Sequence, residues 1–211
     1  MIFEHLAVGV FQCNCFILGC EETREAIVVD PGDHLERIIE RVEGHGLNVT
    51  QIIATHAHLD HVGAMSGLGT HTGAPTCMHQ EDQFLYDNLA MQADLFRLPT
   101  PPSGPVTRYL KEGDRISWGR HEAQVIHTPG HTPGSLCFFM PGEEILFSGD
   151  TLFQGSVGRT DLWGGDQPTL IRSITERLLR LPDETAVFPG HGPDTTIGFE
   201  GAENPFLTGR Y

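Results

Sequence analysis

The spacing of apolar residues along the chain predicts an alternation of strands and helices. Short runs rich in β-branched and aromatic residues, bounded by turn-forming residues, predict strands, and apolar residues three or four positions apart predict helices. The predicted strands span 3–10, 15–18, 25–29, 49–54, 75–78, 115–118, 122–127, 135–140, 144–147 and 186–188. The predicted helices span 34–43, 62–69, 81–96 and 168–181. This order predicts sheets flanked by helices, so we expect an α/β (α+β) fold built as a four-layer αββα sandwich.

A proline-rich segment at 98–105 interrupts this pattern. It holds four prolines in eight residues, which excludes a regular helix or a central strand. We interpret it as a loop, because strands resume at 115–118; a linker between domains is the competing interpretation. A length of 211 residues suits one globular domain, so we predict a single domain over 1–211.

The balance of acidic and basic residues excludes some kinds of binding partner. Lys and Arg number 13 against 28 Asp and Glu, which gives a formal net charge of -15. Nucleic acids and anionic membranes attract clustered basic residues, so we expect binding to neither. No apolar run approaches the roughly 18 residues of a membrane span, and the N-terminal residues lack the pattern of a signal peptide. The five cysteines are an odd number at scattered spacing, which favours reduced, mostly buried thiols over disulfides. From these patterns together we predict a cytoplasmic protein.

Seven residues of metal-ligand type follow strand ends. Four of them fall within six positions after the strand 49–54, where a turn can direct all four side chains inward. The other three follow later strands, and each lies beside a glycine, which lets backbone and metal approach closely. Imidazole nitrogens and carboxylate oxygens bind divalent transition metals such as zinc. The seven residues are His56, His58, Asp60, His61, His131, Asp150 and His191.

A single histidine among the 12 of this chain is more often exposed or packed than bound to a metal. The grouping of seven ligand-type residues makes coincidence a poor explanation, so we predict that these seven bind metal and that the remaining histidines do not. Two cations about 3.5–4 Å apart can share a carboxylate and ionise a water molecule near neutral pH.

Three motifs resemble the metallo-β-lactamase superfamily, and more closely its short glyoxalase II-like, or hydroxyacylglutathione hydrolase-like, branch. The first motif is THAHLDHVG at 55–63, and the third is PGHGP at 189–193. The second combines GDTLF at 149–153 with GRTD at 158–161. The resemblance extends over nearly the whole chain.

The resemblance divides the seven residues between two divalent metal ions. It implies a first ion on His56, His58 and His131, a second on Asp60, His61 and His191, and Asp150 as the bridge. Zinc is the first choice, with iron and manganese as alternatives. Asp60 and Asp150 are the implied catalytic residues. The implied reaction is that of a thioesterase, in which a metal-bridging hydroxide attacks the carbonyl of a small-molecule thioester and releases a thiolate.

The chain departs from the larger glyoxalase II enzymes at its C-terminal end. Those enzymes carry a C-terminal helical domain that supplies much of the glutathione site, whereas only 20 residues follow His191 here. We therefore predict that this domain is absent, and a glutathione thioester is one candidate substrate among thioesters. The sequence does not fix the oligomeric state.

Other functions compete with the thioesterase. GRTD at 158–161 also resembles the persulfide dioxygenases, which use one Fe(II) held by two histidines and one aspartate. A β-lactamase is a weaker alternative, because the sequence shows no secretory signal. Purely structural metals are disfavoured, because closed structural sites need no shared carboxylate.

Two further hypotheses concern residues near the motifs. Asp30 either accepts a hydrogen bond from the metal loop or a ligand imidazole, or serves only the turn at 30–32. Arg159 and Asp161 form either a charge pair at the pocket wall or an ordinary surface pair.

Overall fold

A computed structural model describes residues 1–209 of the chain. The strands within that range are β1 Ile2–Val8, β2 Cys13–Gly19, β3 Glu25–Val29, β4 Asn48–Ile53, β5 Thr76–His79, β6 Arg108–Leu110, β7 Arg115–Trp118, β8 His121–His127, β9 Leu136–Met140, β10 Ile145–Gly149, β11 Leu152–Phe153, β12 Ser156–Val157, β13 Ala186–Pro189 and β14 Thr195–Thr196. The α-helices are α1 Leu35–Gly44, α2 Leu59–Val62, α3 Met65–Thr72, α4 Gln83–Tyr86, α5 Leu89–Phe96, α6 Gln167–Glu176, α7 Ile197–Glu203 and α8 Pro205–Thr208. The predicted α/β class is confirmed.

The chain divides into two compact units, which are described separately. The first unit comprises Met1–Leu110 with Ser117–His121, and the second comprises Lys111–Ile116 with the chain from Glu122 onward. No helix among residues 1–209 is long and apolar enough to cross a membrane.

The first unit is built on a six-stranded sheet in the order β1-β2-β3-β4-β5-β6. Its first three strands, each predicted from the sequence, form an antiparallel meander, and β3 to β6 pair in parallel. Every residue of β2 is buried, and α3 packs on β4 and β5. Parallel strands place their carboxyl ends at one edge, which is where Asp30 follows β3 and the loop 54–58 follows β4.

The second unit contains most of the other six-stranded sheet, which runs β14-β13-β10-β9-β8-β7. Strands β8, β9 and β10 pair antiparallel, and β13 joins β10 in parallel. Leu170, Ile174 and Leu178 project from α6 and the turn after it into a core with side chains of β9, β10 and β13. This spacing of four residues is the apolar stripe that predicted the helix. The ribbon β11–β12 follows Asp150 directly.

Three of the predicted helices are broken. The run 168–181 forms α6 as far as Glu176 and then a 3₁₀ turn over Leu178–Arg180. The run 81–96 forms a 3₁₀ turn over Gln80–Asp82, then α4 and α5, because Asn88 leaves the helical conformation at φ -113° and ψ 30°. The run 62–69 forms α2 and α3 instead of one helix. A Cβ on Gly63, between α2 and α3, would lie 2.3 Å from the carbonyl oxygen of Gly32, so only glycine allows this close contact.

The short strands β6, β11, β12 and β14 were not predicted, because a run of two or three residues is too short to show an alternation of apolar and polar residues. The proline-rich segment lies outside regular structure, as expected, between α5 and β6.

Candidate metal centre

The metal-ligand loop of the first unit joins β4 to α2. His56, His58 and His61 are buried, with exposed fractions of 1%, 6% and 0%, and Asp60 is partly buried. His56 Nε2 lies 3.0 Å from His58 Nδ1, and His61 Nε2 lies 3.8 Å from Asp60 Oδ2. The rings of His56 and His61 also pack closely, with centroids 4.0 Å apart. The structure therefore brings these four predicted ligands together.

The second unit brings together the other three predicted ligands. His131 Nε2 and His191 Nε2 each lie 3.7 Å from the same oxygen, Oδ2 of Asp150. His131 lies in the turn between β8 and β9, Asp150 follows β10, and His191 follows β13. Gly149 precedes Asp150 at φ 48°, a left-handed conformation that glycine adopts without strain.

Within each cluster, pairs of ligand atoms have separations that suit a divalent metal ion. Ligand atoms 2.0–2.2 Å from a tetrahedral ion lie about 3.3–3.6 Å apart. The donor-atom separations of 3.0, 3.7, 3.7 and 3.8 Å lie close to this range. A neutral imidazole supplies one lone pair, and buried imidazoles this close to carboxylates and to each other are typical of metal ligands.

Two imidazoles are oriented by hydrogen bonds from the ring nitrogen that faces away from the ligand atoms. His61 Nδ1 lies 2.9 Å from Asp30 Oδ2, and His131 Nδ1 lies 2.8 Å from the carbonyl oxygen of Arg159. Each acceptor fixes the proton on Nδ1 and leaves Nε2 with its lone pair for a metal. Asp30 also accepts hydrogen bonds from the backbone N–H and hydroxyl of Thr55, at 2.6 and 2.7 Å. Asp30 therefore contacts both the metal loop and a ligand imidazole.

Cys13 is a further buried group beside the ligands of the first unit. Its Sγ lies 3.5 Å from His61 Nδ1. Burial raises the pKa of this thiol to about 12, so it stays protonated at neutral pH. All five cysteines are buried and free of disulfides, as predicted.

Arg159 and Asp161 form an exposed charge pair, as one of the two hypotheses expected. Arg159 Nε and Nη2 donate to the two carboxylate oxygens of Asp161 at 2.7 and 2.8 Å. The bonds from Arg159 lower the pKa of Asp161 to about 2. Both side chains are more than half exposed, so the pair is a surface feature, and it is the backbone of Arg159 that contacts a predicted ligand.

Two residues that contact the metal-ligand loop, Asp82 and Gln92, were not predicted from the sequence. Both are fully buried, at 0% exposure, and their side chains bond to the backbone of the loop. One signal was present for Gln92, because it lies three residues after the apolar Leu89 on the buried face of α5. A polar side chain on such a face needs a partner.

A cavity of about 450 Å³ lies beside Asp60 in the first unit. The β1–β2 turn, the start of α1, the helices α2 and α3 and the proline-rich loop form its largely apolar lining, which includes Val10, Leu35, Leu59, Ala64, Leu98 and Pro101. Asp33 and Glu36 are the acidic residues at this cavity besides Asp60, and no Lys or Arg within residues 1–209 lines it.

Comparisons with known proteins agree with this fold and with these ligand types. The family model of the metallo-beta-lactamase superfamily matches residues 8–191. The chain is 40% identical to the hydroxyacylglutathione hydrolase GloC of Haemophilus influenzae, over the full length of both chains. Among solved structures, it is similar to the BLEG-1 B3 metallo-beta-lactamase, with a TM-score of 0.91 and 38% identity over 98% of this chain and 100% of that one. It is also similar to TTHA1623 in a di-iron-bound form, with a TM-score of 0.87 and 43% identity over 97% and 100%.

The chain belongs to the metallo-β-lactamase superfamily, as its motifs predicted. Its two sheets with helices match the fold of that superfamily. The clusters of buried and partly buried His and Asp side chains are those of a metallo-hydrolase of this superfamily.

Proposed function

We propose that this chain is a thioesterase of the hydroxyacylglutathione hydrolase type that uses two divalent metal ions, with zinc as the first choice. The seven predicted ligands would hold these ions as the family resemblance implies: one ion on His56, His58 and His131, the other on Asp60, His61 and His191, with Asp150 shared. The observation that carries the proposal is Asp150 Oδ2, which lies 3.7 Å from the ligand nitrogens of both His131 and His191. One carboxylate placed between two imidazoles suits a bridge between two ions.

The chain's own residues prepare the reaction. Bound in this way, two cations would supply an ionised water molecule near neutral pH and polarise the thioester carbonyl. Asp30 and the carbonyl of Arg159 hold the Nδ1 protons of His61 and His131, so both rings present Nε2 in a fixed direction. We assign Asp60 and Asp150 the catalytic roles, because their carboxylates would bind the ions that contact the substrate. A thiolate leaving group is a stable anion, so the mechanism needs no side-chain general acid.

The cavity beside Asp60 supports a substrate with an uncharged, apolar acyl part. Its lining is largely apolar, so the transfer of an aliphatic group from water into the cavity is favourable. Asp33 and Glu36 would repel carboxylates, so the carboxylates of a glutathione thioester would lie outside this cavity. The relative named hydroxyacylglutathione hydrolase supports a glutathione carrier. A small-molecule substrate, a cytoplasmic location and a single domain form part of the same proposal.

The test is a thioesterase assay on protein of known metal content. Purified protein loaded with Zn²⁺ is given S-lactoylglutathione and other acyl thioesters, and free thiol is measured without oxygen. We expect thiol release that Asp150→Ala abolishes and that Asp94→Ala, an exposed carboxylate on α5, leaves unchanged. Absence of thiol release from every thioester by metal-loaded protein would refute the proposal.

A mononuclear Fe(II) persulfide dioxygenase is the second candidate. The observation that favours it is the GRTD motif at 158–161; the similar di-iron-bound structure supports iron as the metal but holds two ions. Elemental analysis with an oxygen electrode separates the two functions: one iron with O₂ uptake on a glutathione persulfide identifies the dioxygenase. Two metals with thiol release and no O₂ uptake identify the hydrolase. A β-lactam included in the panel tests the activity named for the similar B3 enzyme.

A further inference from the structure

The metal-ligand loop is held by three buried side chains that bond to alternate residues. The backbone N–H groups of Thr55, Ala57 and Leu59 donate to Asp30 Oδ1, Asp82 Oδ2 and Gln92 Oε1, at 2.6, 2.9 and 2.9 Å. The residues between them are predicted ligands, namely His56, His58 and, after Leu59, Asp60. These bonds therefore hold the backbone at three residues that are not predicted ligands. The side chains of the predicted ligands take no part in them.

Gln92 uses every hydrogen-bonding group of its amide. Its Oε1 accepts from Leu59, and its Nε2 donates to the carbonyl oxygens of Ala57 at 3.1 Å and Leu85 at 2.9 Å. This pattern fixes the orientation of the amide, because a flipped side chain would place oxygen against two carbonyl oxygens. Gln92 thus joins the loop to the helical segment 80–96, within which Leu85 lies.

Burial makes these bonds costly to lose. Asp82 and Gln92 are 0% exposed, and Ala57 is also fully buried. A loop N–H or carbonyl that lost its side-chain partner would have no water to replace it, so the loop would shift to find another partner. A shift of the backbone at Ala57 or Leu59 moves the ligands on either side, and metal affinity depends closely on ligand geometry.

We propose that Asp82 and Gln92 are positioning residues that hold the loop 55–59 in its metal-binding conformation before any metal is bound. This inference rests on the proposed function only in taking His56, His58 and Asp60 as metal ligands. It gives the helical segment 80–96 a role in setting metal affinity, besides its packing.

The experiment compares matched variants within one helical segment. Gln92→Met and Asp82→Ala remove the bonds to the loop. Gln83→Met and Asp94→Ala are the controls: Gln83 bonds to Asp87 and Tyr109 rather than to the loop, and Asp94 is exposed. Zn²⁺ affinity is measured by competition with a chromophoric chelator. The visible spectrum of Co²⁺-loaded protein reports ligand geometry, and thermal melting reports stability.

We expect Gln92→Met and Asp82→Ala to bind Zn²⁺ about 10–100-fold more weakly than the wild type and to shift the Co²⁺ spectrum. The controls should stay within about threefold of the wild type. Lowered melting temperatures with wild-type Zn²⁺ affinity and Co²⁺ spectrum would overturn the proposal, because that result describes packing alone.

A measurement on the wild-type protein decides the matter if either variant fails to fold. In metal-free protein, the amide hydrogens of Ala57 and Leu59 should exchange with solvent as slowly as those of β2. Exchange at the rate of an open loop would show that metal organises the loop, and the proposal would be wrong. Neither this measurement nor Zn²⁺ affinity involves a substrate, so the proposed thioesterase activity can fail while this inference stands.

Discussion

The position of Asp150 depends on a single glycine that follows the β11–β12 ribbon. A Cβ on Gly158 would lie 1.9 Å from the backbone oxygen of Asp150 and 3.2 Å from Cβ of His131. Gly158 does not have a positive φ, so only this close contact excludes a side chain there. The glycine in the GRTD motif therefore has a packing role beside two predicted ligands.

We predict that Gly158→Ala lowers kcat about 100-fold and lowers the metal content, because displacing the Asp150 backbone by about 1 Å misplaces its carboxylate. The measurement is steady-state kinetics with elemental analysis of the same preparation. Gly142→Ala is the control, since no atom lies within 4 Å of a Cβ built there. A fully active Gly158→Ala enzyme would show that this part of the site tolerates displacement.

The charge pair of Arg159 and Asp161 gives a prediction about pH. The pKa of Asp161 is about 2, below its ordinary 3.8, because Arg159 donates to both carboxylate oxygens. The depressed pKa means that the pair stabilises the folded state above about pH 4, and this contribution is lost as the pH falls through about 2. We expect a carboxyl titration followed by NMR to give about 2 in the wild type and a value near 3.8 in Arg159→Gln. A wild-type Asp161 that titrates near 4 contradicts the pair.

At the scale of elements, the C-terminal helix α7 supports the segment that follows Asp150. The buried carboxylate of Glu200 accepts from the N–H of Gly155 at 2.9 Å and from the hydroxyl of Thr195 at 2.6 Å. Asn204, at the end of α7, donates to the carbonyl oxygen of Ser156 at 3.0 Å. The turn between β11 and β12 is therefore tied to α7 by hydrogen bonds.

We predict that Glu200→Ala lowers the free energy of unfolding by about 2–3 kcal/mol, because it leaves buried donors without an acceptor. Chemical denaturation measures this change. Glu176→Ala removes an exposed carboxylate from α6 and should change stability by less than about 0.5 kcal/mol. Equal effects of the two substitutions would mean that the Glu200 network contributes no stability.

Strands and helices were predictable from the sequence where burial produces a run or a regular spacing of apolar residues. β2 and β3 were predicted from continuous apolar runs, because both of their faces are buried, and α6 was predicted from the apolar stripe on its one buried face. The break at Asn88 was not, since the apolar spacing continues across it. The bonds of Gln92 to Ala57 span 35 positions in the sequence, and periodicity carries no information about such contacts.

For the whole molecule, the seven candidate ligands could be chosen from the sequence because ligand-type residues follow strand ends within three motifs. The structure groups four of them in the first unit and three in the second, at donor separations of 3.0–3.8 Å. The division of the seven between two ions stays a prediction. The groups that orient the imidazoles were only partly predictable. A bond from Asp30 to a ligand imidazole was one of two roles considered for that residue. The backbone carbonyl of Arg159 could not be predicted, because every residue has one.

Metal removal should destabilise the folded protein, because the cations would neutralise the partly buried carboxylates of Asp60 and Asp150 in a chain of net charge -15. Free metal at 100 times its dissociation constant stabilises the fold by about 2.7 kcal/mol for each site, which corresponds to about 5–10 °C in Tm for each bound ion. We expect calorimetry to show that fall after treatment with a chelator and its reversal by Zn²⁺. An unchanged Tm in protein shown to have lost its metal would contradict metal binding to the folded state.

The central claim is a hydrolase that works with two metal ions on seven side chains. The most direct measurement is a titration of metal-free protein with Zn²⁺, in which bound metal and anaerobic thioester hydrolysis are followed together. We predict binding that saturates at two ions per chain, with full activity reached only when the second ion is bound. Full hydrolysis at one ion per chain, or saturation at one ion with no hydrolysis, would contradict it.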